Sequence, residues 1–163
     1  MIYTSRYSNP ELKSGKYVAL SISSGSPRWK LPYVLSGSID FIKPGWDLVK
    51  LKNKDVYEKK YKEKLETVGI EKIKQSINQF REDGKDVVLL CYEDIRKGDE
   101  DWCHRTMFAK WWSEKGGEEI KELHDPSEPK IPKKKKIEVK DKADNGNSQV
   151  LFDEFSSMAR YLD

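Results

Sequence analysis

Two short groups of chemically active side chains lie close together in the sequence. Cys91, Glu93 and Asp94 follow the apolar run 87–90, and Cys103-His104-Arg105 follows a charged loop. Thiols, carboxylates and imidazoles act as nucleophiles, acids, bases or ligands, and a guanidinium grips a phosphate or carboxylate with two hydrogen bonds. We therefore predict a site here, whose catalytic candidates are Glu93, Asp94, His104 and Cys103 and whose binding candidates include Cys91 and Arg105.

Each of these residues also has an ordinary structural interpretation. Cys91 and Cys103 would pack as small buried side chains. His104 and Arg105 would pair with the nearby carboxylates. A helix beginning at Trp102 would nevertheless offer free N–H groups to an anion, and we predict anion binding at this helix start. We expect that Cys103 is not an obligatory nucleophile but that its replacement disturbs the site.

A zinc site formed by Cys91, Cys103 and His104 is a weaker interpretation. Structural zinc sites pair ligands two to four residues apart, whereas these cysteines are twelve positions apart. Adjacent cysteine and histidine side chains would also have difficulty reaching one ion. We therefore expect no metal and no other cofactor.

Other polar side chains follow the two strands predicted near the N-terminus. Arg6, Ser8 and Asn9 follow the first strand, and Ser23 follows the second. Hydroxyl and N–H donors in such turns can bind an anion, although ordinary turns have the same composition. These four residues are further candidates for substrate binding. A cation and aromatic faces that could hold a nucleobase come from Arg28, Trp29 and Trp46.

The pattern of elements predicts a layered α/β domain with a mainly parallel sheet flanked by helices. Strands are predicted at 2–4, 16–22, 86–91 and 119–123, and the four consecutive aliphatic residues 87–90 are typical of a strand buried on both faces. Helical periodicity marks 57–65, 70–80 and 102–115. Residues 28–50 are predicted to be irregular.

The composition changes after residue 124, which divides the chain into three parts. Residues 1–124 form the α/β domain, and 125–147 form a linker rich in Pro and Lys, including Lys133–Lys136. Apolar residues return at helical spacing in 148–163, which predicts a short amphipathic helix over 148–162. Because such a helix is marginal alone, it must dock on this domain, on a second copy or on a protein partner.

The overall composition excludes several classes of protein. The chain has 163 residues, 31 Lys plus Arg and 28 Asp plus Glu, so its net charge of +3 excludes a polycation. Its mean hydropathy is −0.84, and no apolar stretch approaches the length of a spanning helix. Two cysteines and no visible secretory signal predict a cytoplasmic protein without a membrane partner.

The segments IYTSRYSNPEL, YVALSIS and KDVVLLCYEDIRKGDEDWCHRTMFAKWW resemble the DUF488 family of uncharacterised bacterial and phage proteins. The resemblance covers roughly residues 1–123. It implies an α/β domain with a site at Cys91, Glu93, Cys103, His104 and Arg105, and Ser8 and Asn9 match polar residues after the first strand. It implies no established reaction. A departure is the long charged loop between the two cysteines, which other branches of the family shorten.

Two classes of function fit these features. The first is an enzyme, of hydrolase or transferase type, that acts on a nucleotide, nucleoside or nucleic-acid base. It would use Glu93 or Asp94 as acid or base and a base-holding aromatic side chain. The second is a non-catalytic module that binds DNA or a protein through its tail, with Lys133–Lys136 on phosphates.

Overall fold

Five parallel strands form the centre of the computed structural model, which describes residues 1–131. They are β1 (Ile2–Arg6), β2 (Tyr17–Ser21), β3 (Leu35–Ser38), β4 (Asp86–Cys91) and β5 (Ile120–Glu122), in the spatial order β3-β2-β4-β1-β5. The central strand β4 pairs with β1 on one side and β2 on the other. Residues 87–90 are fully buried, which confirms the strand predicted to be buried on both faces.

Helices cover one face of this sheet. They are α1 (Trp46–Val49), α2 (Lys54–Val68), α3 (Ile70–Asn78) and α4 (His104–Glu114), with 3-10 turns at Pro10–Ser14 and Asp40–Ile42. The stripes predicted for α2 and α3 belong to the same hydrophobic core as Val87, Leu89 and Cys91 of β4. The other face packs on the first 3-10 turn and on loop residues that include Leu31 and Tyr33. The predicted layered α/β class is therefore confirmed.

The prediction of an irregular segment at 28–50 was wrong. The segment contains β3, the 3-10 turn Asp40–Ile42 and α1. The sequence pattern does not predict β3, because its Ser36-Gly37-Ser38 sequence has low β-propensity. In the fold it pairs with β2 at the edge of the sheet, and the Phe80 ring packs against Gly37.

The predicted helix at 102–115 begins two residues later than expected. Cys103 is the N-cap of α4 and has extended backbone angles, φ −140° and ψ 146°. The first helical residue is His104. This change matters because an extended N-cap directs its side chain differently from a residue inside the first turn.

The compact unit that contains the sheet is Met1–Ile131, whereas the sequence predicts a domain over 1–124. Asp125 and Ser127, predicted to lie in the linker, accept hydrogen bonds from Arg6. Arg96 donates to the carbonyl oxygens of the same two residues. The predicted Lys133–Lys136 segment and the helix at 148–162 lie outside the described residues. Within 1–131 no helix has the length and apolar character needed to span a membrane.

Candidate functional site

Two cysteines and a histidine meet where β4 ends and α4 begins. Cys91 is the last residue of β4, Cys103 caps α4, and His104 is its first residue. The Sγ atom of each cysteine lies 3.7 Å from Nδ1 of His104, and the three atoms all lie within 4.8 Å of one another. All three side chains are buried. The carboxyl end of a parallel strand and the start of the next helix therefore form a site, as the topology of α/β sheets favours.

The imidazole of His104 is held in one orientation. Its Nε2 lies 2.8 Å from the carbonyl oxygen of Ile22, and since a carbonyl only accepts hydrogen bonds, Nε2 carries a proton. Nδ1 is thereby left to face the two sulfur atoms. The Tyr61 ring stacks edge to face on the imidazole with centroids 5.5 Å apart, and its hydroxyl donates to the carbonyl of Ile42.

The two cysteines differ in acidity although both are free and buried. Burial raises the pKa of Cys91 well above that of an ordinary thiol. Burial opposes ionisation of Cys103 too, but the neighbouring Cys91 thiol and the charges of His104 and Arg105 outweigh it and lower the pKa of Cys103. Although burial opposes its charge, His104 has a raised pKa because of the neighbouring Cys103. This geometry favours a thiolate at Cys103 beside an imidazolium.

Glu93 lies between these buried groups and solvent. The Cys91 thiol donates to Oε2 of Glu93 over 3.2 Å. The residue itself is exposed, whereas its carboxyl group is crowded by the protein, and burial followed by the charge of Cys103 raises the pKa of Glu93 to about 7. A carboxyl group of this kind is suited to both donating and accepting a proton near neutral pH.

Asp94, the neighbouring candidate, belongs to a different group of charges. Arg96 donates to both of its carboxylate oxygens over 2.8 Å, and Arg6 lies 3.7 Å away. The hydrogen bonds from Arg96 lower the pKa of Asp94 to about 2, against a smaller effect of burial. Asp94 is therefore ionised at neutral pH and placed to hold the loop after β4 rather than to move protons.

Arg105 is committed to a carboxylate. Its guanidinium, 1% exposed, donates to both oxygens of Glu122 over 2.9 to 3.2 Å. The Thr4 hydroxyl donates to the same carboxylate over 2.7 Å. The bidentate hydrogen bonds that we expected Arg105 to make with a substrate anion are thus made with Glu122, and they connect α4 to β5. The remaining Nη1 atom of Arg105 is buried and has no hydrogen-bond partner among the described residues.

A cavity of about 350 Å³ lies on the far side of this ion pair. Three cations and three carboxylates line it, together with Leu123 and His124; the charged residues are Arg6, Arg96, Arg105, Asp94, Glu122 and Asp125. Equal numbers of opposite charges leave no net attraction for an anion. Anion binding at the start of α4 stays a prediction, and the balanced charges of this cavity do not support it.

The remaining polar candidates lie in turns, where they hold the backbone. Asn9 caps the first 3-10 turn by accepting from the Glu11 amide. Ser23 lies 2.7 Å from the Tyr7 hydroxyl and donates to the Gly25 carbonyl. Ser8 is exposed. Asn9 and Ser23 thus shape the loops around the site, and substrate contact by any of the three stays a prediction.

Three exposed aromatic side chains near the carboxyl end of β4 form a surface that we call the aromatic rim: Trp29, Tyr92 and Trp46. Trp29 and Tyr92, each 38% exposed, pack edge to face with centroids 5.9 Å apart. The Tyr92 hydroxyl donates to the Gly25 carbonyl. Trp46, 61% exposed, lies so close that a Cβ atom on Gly25 would be 3.4 Å from its ring. The rim presents flat apolar surfaces, and Tyr92 lies between Cys91 and Glu93 in the sequence.

Several residues that shape the site had no recognisable signal in the sequence. The Ile22 carbonyl accepts a hydrogen bond from His104, Glu122 accepts from Arg105, and Asp94 accepts from Arg96. A backbone carbonyl cannot be identified by residue type, and one exposed acid or base among many carries no mark of its partner. Tyr61 could have been found, because its helical stripe predicted that it is buried.

Neither family models, curated proteins nor solved structures yield a match to this chain. The resemblance to the DUF488 family therefore remains a prediction. The chemistry of the site rests on its own geometry.

Proposed function

We propose that this protein is an enzyme that hydrolyses, or transfers a group on, a nucleotide-like, nucleoside-like or base-like substrate at the carboxyl end of β4. One observation carries the proposal. The Glu93 carboxyl group lies over buried thiol and imidazole groups, and its neighbour in the sequence, Tyr92, belongs to the exposed aromatic rim. Burying several ionisable groups together costs stability, since each loses hydration. Such clusters are therefore concentrated at sites that perform chemistry.

The aromatic rim supports a flat ring as the group that is recognised. Trp29 and Tyr92 are large side chains of which more than a third stays exposed. Aromatic faces stack on nucleobases with little regard to their identity. Arg28, next to Trp29 in the sequence, adds a cation on the same loop. By contrast, Arg105 and Arg6 already bind carboxylates, so recognition of the ring is better supported than recognition of a phosphate.

Within this proposal the residues have distinct roles. Glu93 transfers a proton to or from the group that leaves or attacks. Cys91, Cys103 and His104 form the floor of the site, and Cys103 is not required as a nucleophile. Arg105 is a positioning residue, because it holds the start of α4 through Glu122.

A panel of nucleobases, nucleosides and nucleotides tests the proposal. The chain is incubated with each compound, thermal stability is measured for binding, and products are identified by chromatography with mass spectrometry. We expect one group of related compounds to stabilise the protein and to be converted. Glu93→Gln should bind the same compound but convert it about 100-fold more slowly, because general acid–base catalysis contributes at least that factor. Glu100→Gln, an exposed residue on the same loop, is the matched control.

The contribution of the aromatic rim is tested separately. Trp29→Ala should weaken binding about tenfold, as expected for the loss of one stacking partner, and Val56→Ala, an exposed apolar residue on α2, should not. The proposal is contradicted if no compound stabilises the chain, or if Glu93→Gln converts substrate at the wild-type rate. Salt-sensitive DNA binding that disappears on deletion of 132–163, with no small-molecule binding, would instead favour the non-catalytic module.

A further inference from the structure

We propose that Cys91, Cys103 and His104 bind one zinc ion and leave a fourth coordination position that faces Glu93. Thiolate sulfur and imidazole nitrogen are ligands that Zn²⁺ prefers, and two Cys with one His form a known catalytic donor set. The three donor atoms already lie within 4.8 Å of one another. This inference reverses the expectation of no metal.

Two of the three donor distances fit a tetrahedral site closely. With Zn–S bonds of about 2.3 Å and Zn–N bonds of about 2.0 Å, a sulfur and a nitrogen at two corners of a tetrahedron are about 3.5 Å apart, and two sulfurs are about 3.8 Å apart. Both Sγ atoms lie 3.7 Å from Nδ1 of His104. The two sulfur atoms lie within 4.8 Å of each other, so they would have to approach by about 1 Å at most to complete the coordination.

The surroundings of His104 match those of a metal ligand. A ligating histidine commonly donates its other N–H to a carbonyl or carboxylate, which fixes the tautomer and aims the free nitrogen at the metal. Nε2 of His104 makes that contact with the Ile22 carbonyl, and Nδ1 faces the sulfur atoms. The bond is short, at 2.8 Å, and buried.

The objection raised by the sequence spacing does not hold in this fold. Cys91 and Cys103 are distant in sequence, but the loop between them returns from the end of β4 to the start of α4. Cys103 and His104 are adjacent, yet Cys103 is an extended N-cap and His104 is helical. Their side chains therefore leave the backbone in directions that both reach the same point.

Charge balance also favours the metal. Two thiolates and a neutral imidazole around Zn²⁺ carry no net charge, which suits a site with almost no exposure. The charge of the adjacent Arg105 is balanced by Glu122. We place the fourth position on the side of Glu93, because Oε2 of that residue lies 3.2 Å from Cys91 Sγ. If a water molecule occupies that position, Glu93 is placed to accept a proton from the water and to pass it to the leaving group. The resulting hydroxide forms the new bond to the substrate as the bond to the leaving group breaks. This role rests on the proposed function, whereas metal binding does not.

Cobalt titration of the full chain tests metal binding without any substrate. The protein is purified under reducing conditions, treated with a chelator, exchanged into buffer and titrated with Co²⁺. We expect one cobalt per chain, with a thiolate-to-cobalt charge-transfer band that Zn²⁺ removes by displacement. Cys91→Ser and Cys103→Ser should each reduce the affinity at least about 100-fold and weaken the band. His124→Ala, the other histidine and an exposed one, should behave as the wild type.

The outcomes separate this inference from the proposed function. If the wild-type chain binds no stoichiometric cobalt, or if both serine variants keep the wild-type affinity and the full intensity of the band, the zinc site is excluded. The wild-type titration decides even if a serine variant fails to fold. Glu93→Gln should keep the band, because Glu93 is not a ligand. Conversion of substrate by metal-free protein would exclude a role for a zinc-bound water and leave both the zinc site and the proposed function standing. Metal binding without conversion of any compound would leave the zinc site standing and contradict the proposed function.

Discussion

Arg105 carries a buried positive charge whose carboxylate partner in the described part of the chain is Glu122. The two residues differ greatly in exposure, at 1% for Arg105 and 33% for Glu122. Removing one member of an ion pair is costly when the other is left buried, and much less costly when the other can regain hydration. Glu122→Ala should therefore lower the free energy of unfolding by about 3 kcal/mol, and Arg105→Met by clearly less.

Urea unfolding of the two variants checks this order. Glu119→Ala, an exposed acidic residue next to β5, serves as control and should change stability by less than about 0.5 kcal/mol. Equal losses from the two variants, or a larger loss from Arg105→Met, would show that packing of the arginine stem outweighs its charge.

Asp94 provides a prediction for acid pH. Hydrogen bonds from Arg96 lower the pKa of Asp94 to about 2 in the folded protein, below its value of about 4 in an unfolded chain. The ion pair therefore stabilises the fold at pH above about 4, and its contribution is lost as the pH falls through about 2. Because solvent reaches part of the pair, we expect Asp94→Asn to cost roughly 1 kcal/mol at neutral pH and progressively less toward pH 2.

Chemical denaturation across that pH range, with Asp99→Asn as the control on the same exposed loop, measures the difference. A difference in the free energy of unfolding between Asp94→Asn and wild type that stays constant with pH would contradict the account.

Glu93 and Asp94 also show what the sequence cannot predict for single residues. Glu93 and Asp94 are adjacent carboxylates, and their different partners, a thiol and a guanidinium, follow from contacts that residue type does not specify.

Among the elements, β3 shows how packing overrides local propensity. Its Ser36-Gly37-Ser38 sequence is a poor strand former, but Gly37 lies directly beneath the Phe80 ring, and a Cβ atom there would collide with it. We expect Gly37→Ala to lower the free energy of unfolding by 1 to 3 kcal/mol, although alanine loses less conformational entropy than glycine on folding.

Thermal unfolding of Gly37→Ala compared with Gly98→Ala tests this point, since a Cβ atom on Gly98 meets nothing within 4 Å. If Gly37→Ala is as stable as wild type, the Phe80 ring moves aside at little cost. Elements with a strong periodic pattern, such as α2 and the central strand β4, could be predicted from sequence. Strand β3 and the exact start of α4 could not, because a tertiary contact decides the first and the conformation of Cys103 decides the second.

For the whole molecule, alternation of strands and helices predicts the α/β class but not the order β3-β2-β4-β1-β5. That order places β4 between β1 and β2, and it thereby brings the Ile22 carbonyl after β2 to His104 at the start of α4. Sequence therefore identified Cys91, Glu93, Cys103 and His104 as candidates but could not show that three of them meet at one point. That meeting depends on non-local pairing.

The end of the domain gives a prediction for the whole chain. Arg6 donates over 2.6 Å to the nearly buried Asp125 carboxylate and over 2.7 Å to the Ser127 hydroxyl. A chain ending at residue 131 keeps these bonds, whereas one ending at 124 leaves the Arg6 guanidinium, 20% exposed, without them. Hydrogen bonds to charged groups contribute about 1.5 to 3 kcal/mol each, so the shorter chain should be less stable by at least about 2 kcal/mol.

In the full-length protein, Asp125→Ala should reproduce most of that loss and Glu128→Ala, an exposed neighbour, should not. Equal unfolding midpoints for the chains ending at 124 and 131 would place the boundary at 124, where composition alone had put it.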